Sequence, residues 1–300
     1  MKTVVYPFVG EFSYALNWCG PILHKEFKEV KDIKKVVATL PEFSMIFRHF
    51  CDEVLELPDS ITSRLKYPAT IGEHTDGRDI VPDFVIDYCT DQYPGCKIKT
   101  PSQVNAKQET YDAVYEHLKP LASVEDKVKT FLDSFKKEDT VVVLPKYRSR
   151  KGNHDIQNWD AEEWRGLIYK LIENGFNVVS FYYEAKHSAG GSLHLDIEHP
   201  KFKEYKILPT STALDEQAWI LKHSLCSLYG STGAVNVPFW IGTPTFALMQ
   251  KDYGKRLFYT WQRNLTDDHR LNHIELIEDF SIVTHQSVYD IFETYLKTLR

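Results

Sequence analysis

No apolar run in the chain approaches the roughly 18 residues that a membrane-spanning helix needs. The opening residues, Met1-Lys-Thr-Val-Val-Tyr-Pro-Phe8, hold a short apolar stretch that ends at Gly10-Glu11, far short of a signal-peptide core. Cysteine is sparse and scattered. The five residues Cys19, Cys51, Cys89, Cys96 and Cys226 form no Cys-x-x-Cys pair, which argues against structural zinc and for free thiols in a reducing compartment. An excess of positive charge is also missing. The 36 Lys and Arg face 42 Asp and Glu, and a net charge of −6 argues against the basic face of a nucleic-acid-binding domain. Repeats, low-complexity tracts and coiled-coil heptads are absent too. These absences point to a cytoplasmic enzyme or binding protein for small molecules.

What is present is ordinary globular material. Apolar residues make up 43% and charged residues 26% of 300, a length at which two domains are the starting expectation. In the second half, Thr140-Val-Val-Val-Leu144 closed by Pro145 reads as a buried strand. Asp160 and Glu163 have capping-box spacing, and Trp164, Leu167, Ile168, Leu171 and Ile172 recur on one helical face up to Asn174-Gly175. Phe176–Tyr182 is the next strand, so a parallel β-loop-α-β unit is predicted. The pattern repeats with strand Tyr205–Leu208, a helix from Thr212 to about His223, strand Ser224–Tyr229, a short helix near Ala234–Ile241 and strand Thr245–Met249. Val288, Ile291, Phe292, Tyr295, Leu296 and Leu299 predict a C-terminal helix.

The first half begins alike, with strand Thr3–Phe8, a helix from about Ser13 to Phe27, strand Lys35–Thr39, helix Phe43–Phe50 and an extended Glu53–Leu57. From Pro58 to Gln108 the pattern weakens, and Phe84–Tyr88 is expected as a strand. Helices are predicted at Glu109–Lys119 and Val124–Lys136, with Lys136–Asp139 as linker. The expected domains are residues 1–137 and 138–284, followed by a helix at 285–300 that packs back on the first domain.

Ligands of open parallel sheets bind at the carboxyl ends of strands, and three such loops carry chemistry. The first is Phe8-Val-Gly10-Glu11-Phe12. Its single glycine is not the Gly-x-Gly-x-x-Gly turn of a dinucleotide site, which disfavours a dehydrogenase. Glu11 there can take a proton from a hydroxyl; the alternative is a solvated turn or helix-terminal charge. The second is Lys146-Tyr-Arg148-Ser-Arg150-Lys151, four cations in six residues, suited to phosphate oxygens or else a solvated charged loop. The third is Gly230-Ser231-Thr232-Gly233, a turn between strand and helix that lacks the P-loop pattern but offers backbone N–H groups to an anion. The second and third together would clamp a diphosphate. Asp215-Glu216, opening a helix, suit either a ribose contact or capping. His269 and His273 stand four apart without a third ligand, and Asn264-Leu-Thr266 is a sequon without meaning in the cytoplasm.

The second half resembles the nucleotide-sugar-binding domain of GT-B glycosyltransferases, most nearly the heptosyltransferase-like family (glycosyltransferase family 9-like). The resemblance lies in strand Val141–Pro145, the basic loop Lys146–Lys151, the Trp-containing Asn158–Trp164, Leu171-Ile-Glu-Asn-Gly175-Phe-Asn-Val-Val179, Tyr229–Gly233 and Gly242-Thr-Pro-Thr245. Gly230 replaces the aspartate of that family's Asp-Ser-Gly turn, and the basic loop is longer. In residues 1–57 the likeness is weaker, with Gly10-Glu11 where the family has Gly-Asp.

The resemblance implies two Rossmann-like α/β domains facing a cleft, and a C-terminal helix. It implies transfer of a sugar from a nucleotide-diphosphate donor to a hydroxyl of a glycan or small-molecule acceptor. Glu11 would be the base; Lys146, Arg148, Arg150, Ser231, Thr232 and Gly233 would hold the diphosphate. Asp215 and Glu216 would face the nucleoside, and Gly10, Tyr14 and Trp18 the acceptor. GT-B enzymes are generally metal-independent, and the chain has no Asp-x-Asp, so neither metal nor cofactor is expected. A nucleotide-sugar 2-epimerase and a non-catalytic nucleotide- or sugar-binding protein are the competing readings.

Overall fold

The β-branched run Lys2–Phe8 forms the first strand (β1). A single π-helical turn, Ala15–Cys19, leads into helix α1 (Gly20–Glu29), whose Leu23, His24 and Phe27 are buried. Then follow β2 (Ile33–Thr39), α2 (Ser44–Arg48), β3 (Glu53–Glu56) and the one-turn α3 (Asp59–Thr62). Helix α4 spans Asp83–Gln92, and the two-residue β4 is Lys97–Ile98. The strands form a parallel sheet in the order β3-β2-β1-β4. Its core holds Val5, Val36, Ala38, Leu57, Val85 and Cys89.

Helix α4 overturns the strand expected at Phe84–Tyr88. The aromatic and β-branched residues there favour extended chain, but Val81, Val85 and Cys89 are buried at helical spacing. Pro82 at the N-cap and Asp83 in the first turn are ordinary helix-start chemistry.

Residues 122–300 supply a second sheet. Helix α5 (Ala122–Leu132) precedes β5 (Thr140–Leu144), which is buried at every position. A strand apolar throughout and covered on both faces is what a central parallel position requires. After Pro145 the chain forms β6 (Lys146–Arg148), then α6 (Ala161–Glu173), β7 (Asn177–Tyr183), β8 (Gly190–Ser192) and β9 (Phe202–Ile207). Helix α7 (Ala213–Lys222), β10 (Cys226–Tyr229), α8 (Asn236–Ile241), β11 (Thr245–Gln250), β12 (His273–Ile277) and α9 (His285–Leu299) complete the order. The six-stranded parallel sheet runs β12-β11-β10-β5-β7-β9, while β6 and β8 pair antiparallel beside it.

The computed structural model describes residues 2–10, 12, 15–65, 81–100, 118–148, 158–183, 190–252 and 272–300. The expected helix at Glu109–Lys119 lies almost wholly outside them. The chain divides into one compact unit of Met1–Leu121 with Pro209–Asp215 and a second of Ala122–Leu208 with Glu216–Arg300. Helix α5 therefore belongs with the second sheet, where Lys203 Nζ on β9 donates to the carbonyls of Phe131 and Leu132 at 2.7 and 3.0 Å. The first compact unit runs to Leu121, and a short 3-10 turn, Lys137–Asp139, stands at the expected linker.

Helix α9 also belongs to the second unit. Val288, Phe292, Tyr295 and Leu296 share a core with Trp164, Leu167, Ile168 and Leu171 of α6. Asp160 caps α6 through the N–H of Glu162 at 2.7 Å. The expected capping box is not closed. Glu163 turns instead to α9 and accepts from the His285 N–H and lies 2.7 Å from its Nδ1.

Candidate functional site

In the second unit the chain order reverses between β5 and β10. From β5 it proceeds through α6 to β7 and β9 on one side, and from β10 to β11 and β12 on the other. Two loops leaving adjacent strands in opposite directions open a crevice at their carboxyl ends, where ligands of such sheets bind. The pairing Tyr229↔Leu144 sets the last residues of the two strands side by side. The N–H of Gly230 donates to Leu144 O at 3.2 Å. The basic loop and the Gly-Ser-Thr-Gly turn therefore begin next to each other.

On the β5 side the predicted loop starts as strand β6, paired through Lys146↔Ser192 and Arg148↔Gly190. The N–H of Leu193 donates to Pro145 O at 2.7 Å and fixes where it departs. Lys146 is 7% exposed, so its stem is buried. Arg148 follows on the same short strand, and Arg150 lies outside the described residues.

On the β10 side Ser231 and Thr232 are buried. Thr232 Oγ1 accepts from the Ala234 N–H at 3.2 Å and caps a 3-10 turn, Gly233–Val235, that runs into α8. Ser231 Oγ accepts from the backbone N–H of Gln250 at 3.4 Å, tying the turn to the end of β11. Among the described residues, no hydrogen bond uses the backbone N–H of Ser231, Thr232 or Gly233. Gly242 closes α8 with φ of 80°, a left-handed value that glycine adopts without steric cost. The helix therefore stops where Pro244 and β11 begin.

The first unit has the same kind of reversal between β1 and β4. The loop after β1 is that of Gly10, and a Cβ on Gly10 would lie 3.0 Å from the Phe8 ring. Glu11 and Tyr14 are outside the described residues; Trp18 lies in the π-helical turn. Beneath β1, Tyr6 donates to Glu26 at 2.7 Å, and Lys99 also pairs with Glu26. Burial, then the Glu26 carboxylate, pushes the Tyr6 phenol well above its ordinary range.

Two candidates, Asp215 and Glu216, are bonded to protein groups. Asp215 is fully buried and accepts from Arg48 Nη1 and from the Leu121 N–H. Glu216 pairs with Lys127 Nζ at 2.6 Å and accepts the Tyr205 hydroxyl. Both carboxylates bind protein groups distant in sequence, a role local spacing does not reveal. His273 stacks on Phe246 at 4.7 Å and sits 3.2 Å from a Glu275 oxygen, and His269 lies outside the described residues. Among the described residues no three His, Cys, Asp or Glu side chains form a group able to hold a metal ion. The site also contains Gln250 beside Ser231, which the sequence did not single out, and Trp164 of the Trp-containing segment, whose ring borders the space at Gly230.

No protein-family model matches the chain, and no curated protein matches it. Solved structures do. The E. coli heptosyltransferase WaaC with ADP aligns with 98% of this chain and 99% of its own, at 14% identity and a TM-score of 0.55. A glycosyl transferase family 9 protein from Veillonella parvula aligns over 99% and 98%, at 12% identity and a TM-score of 0.56. The E. coli ADP-heptose lps heptosyltransferase II aligns over 99% of both chains, at 11% identity and a TM-score of 0.53. Two parallel-sheet units and the C-terminal helix thus make up a heptosyltransferase-like GT-B fold.

Proposed function

We propose that the chain is a glycosyltransferase that moves a sugar from a nucleotide-diphosphate donor to an acceptor hydroxyl. The observation that carries this reading is the junction of β5 and β10. There a cation-rich segment and a turn with backbone N–H groups leave neighbouring strand ends at a chain reversal. Lys146, Arg148 and Arg150 pair with the diphosphate oxygens, and the N–H groups of Ser231, Thr232 and Gly233 complete the clamp. The fold of solved heptosyltransferases supports the choice of donor, and the ADP in one of them makes ADP the first nucleotide to test.

In the reaction the acceptor oxygen forms a bond to the anomeric carbon as the bond from that carbon to the diphosphate oxygen breaks. Negative charge grows on the leaving diphosphate. Fixed cations and N–H dipoles stabilise it without reorganising, so no divalent ion is part of this reading. Glu11, on the loop after β1, takes the acceptor's proton. Gly10, Tyr14 and Trp18 belong to the acceptor side. Free thiols at all five cysteines support work in a reducing compartment such as the cytoplasm.

A thermal-shift screen against UDP-, GDP-, ADP-, dTDP- and CMP-sugars tests the proposal. One diphosphate donor should raise the melting temperature, because a ligand that binds only the folded state stabilises it by mass action. No shift with any donor at millimolar concentration would refute it.

A further inference from the structure

Gly230 has no need of glycine's backbone freedom, since glycines 95, 175 and 242 are the described ones with positive φ. Its demand is for space. A Cβ there would lie 3.1 Å from Trp164 Cζ2, 3.5 Å from Lys146 Cβ and 3.6 Å from Leu144 O. The indole thus occupies the room that a side chain at position 230 would take, at the point where the two strand ends meet.

The indole is itself held firmly. Trp164 is fully buried and packs edge-to-face on Trp159 at 5.0 Å, and Trp159 Nε1 donates to Val283 O at 2.8 Å. Among the described residues the Trp164 Nε1–H has no hydrogen-bond partner, so packing and not hydrogen bonding sets the ring's place. The ring of Trp164 and the stem of Lys146 thus both border the one small space beside Gly230.

We infer that Trp164 is a positioning residue for the donor diphosphate: its ring borders the space beside Gly230 that the stem of Lys146 also borders, and so sets how closely the 230 turn approaches the start of the basic segment. The inference rests on the proposed donor site. Both claims predict diphosphate binding, but only this one predicts that the pair 164 and 230 controls it through shape.

The experiment titrates ADP and adenosine calorimetrically into wild type, G230A, W164F and the G230A/W164F double variant, with melting temperatures recorded alongside. Each single variant should weaken ADP binding about tenfold and leave adenosine binding unchanged, because added or missing volume displaces one phosphate segment from the other. The double variant, in which the methyl refills the space the indole vacates, should recover ADP affinity to within about threefold of wild type. Single variants that lower the melting temperature yet bind ADP as wild type does would overturn the inference, as would a double variant with no recovery. If Arg148→Ala weakens ADP binding while these variants do not, the donor site stands and the positioning role falls. If wild type binds no ADP, the titrations are run with the diphosphate the thermal-shift screen selects, and a wild type that binds none of ADP, UDP, GDP and dTDP overturns both.

Discussion

Arg48 and Asp215, 167 positions apart in sequence, are joined by two hydrogen bonds from one guanidinium nitrogen, at 3.0 and 3.1 Å. The second terminal nitrogen, Nη2, donates to Ser211 O at 3.2 Å, and the Leu121 N–H reaches the same carboxylate at 2.8 Å. Segment Pro209–Asp215 is thereby fastened to the first unit, while Glu216, the next residue, is bonded within the second. Arg48→Ala would leave a fully buried carboxylate with one backbone donor among the described residues. The expected loss is about 3 kcal/mol, at the lower end for a broken buried pair because Arg48 is itself a quarter exposed. Urea unfolding of the variant checks it; a change within 0.5 kcal/mol, as for ordinary surface sites, would contradict the account (roughly ±0.5 being their range).

Glu53 sets one acid-sensitive contact. Its carboxylate is held below the ordinary range first by the hydrogen bond from Lys34 and then by that from Tyr93. A depressed carboxylate stabilises the fold above its unfolded value of 4.5, and that contribution is lost as pH falls through the lower folded value. Glu53→Gln should therefore be less stable than wild type at neutral pH, and the difference should shrink steadily below pH 4.5. A constant difference across that range, measured by denaturation at several pH values, would rule the linkage out.

Activity should survive excess EDTA, because protein cations and N–H groups carry the charge on the leaving diphosphate. Turnover abolished by chelation and restored by Mg²⁺ or Mn²⁺ would show that the clamp lacks a component.

Glu11→Gln should keep donor KM near wild type and lower kcat by about 10²–10⁴-fold, the usual cost of losing a general base. A turn or capping role predicts near-normal turnover. Steady-state kinetics with a competent acceptor separates the two by orders of magnitude.

The central strands were legible in the sequence because parallel strands covered on both faces must be apolar runs, as Thr140–Leu144 is. Helix α9 was legible through its periodicity, though not its partner, since an apolar stripe does not say which surface covers it. Strand β6 was missed because its partner Gly190–Ser192 carries no strand-like residues, so the pairing depends on where Pro145 sends the chain. The positions of the basic loop and the 230 turn were readable as strand ends. Their adjacency needed the strand order, and the structural use of Asp215 and Glu216 needed partners about 90 to 170 residues away in sequence.

The most direct test of the diphosphate clamp is calorimetric titration of ADP, with adenosine as control, into wild type, Arg148→Ala and Arg150→Ala. The account predicts that at least one variant loses about 1.5–3 kcal/mol of ADP binding, as removal of a charge-assisted hydrogen bond costs, with adenosine affinity unchanged. Wild-type ADP affinity in both variants would contradict it.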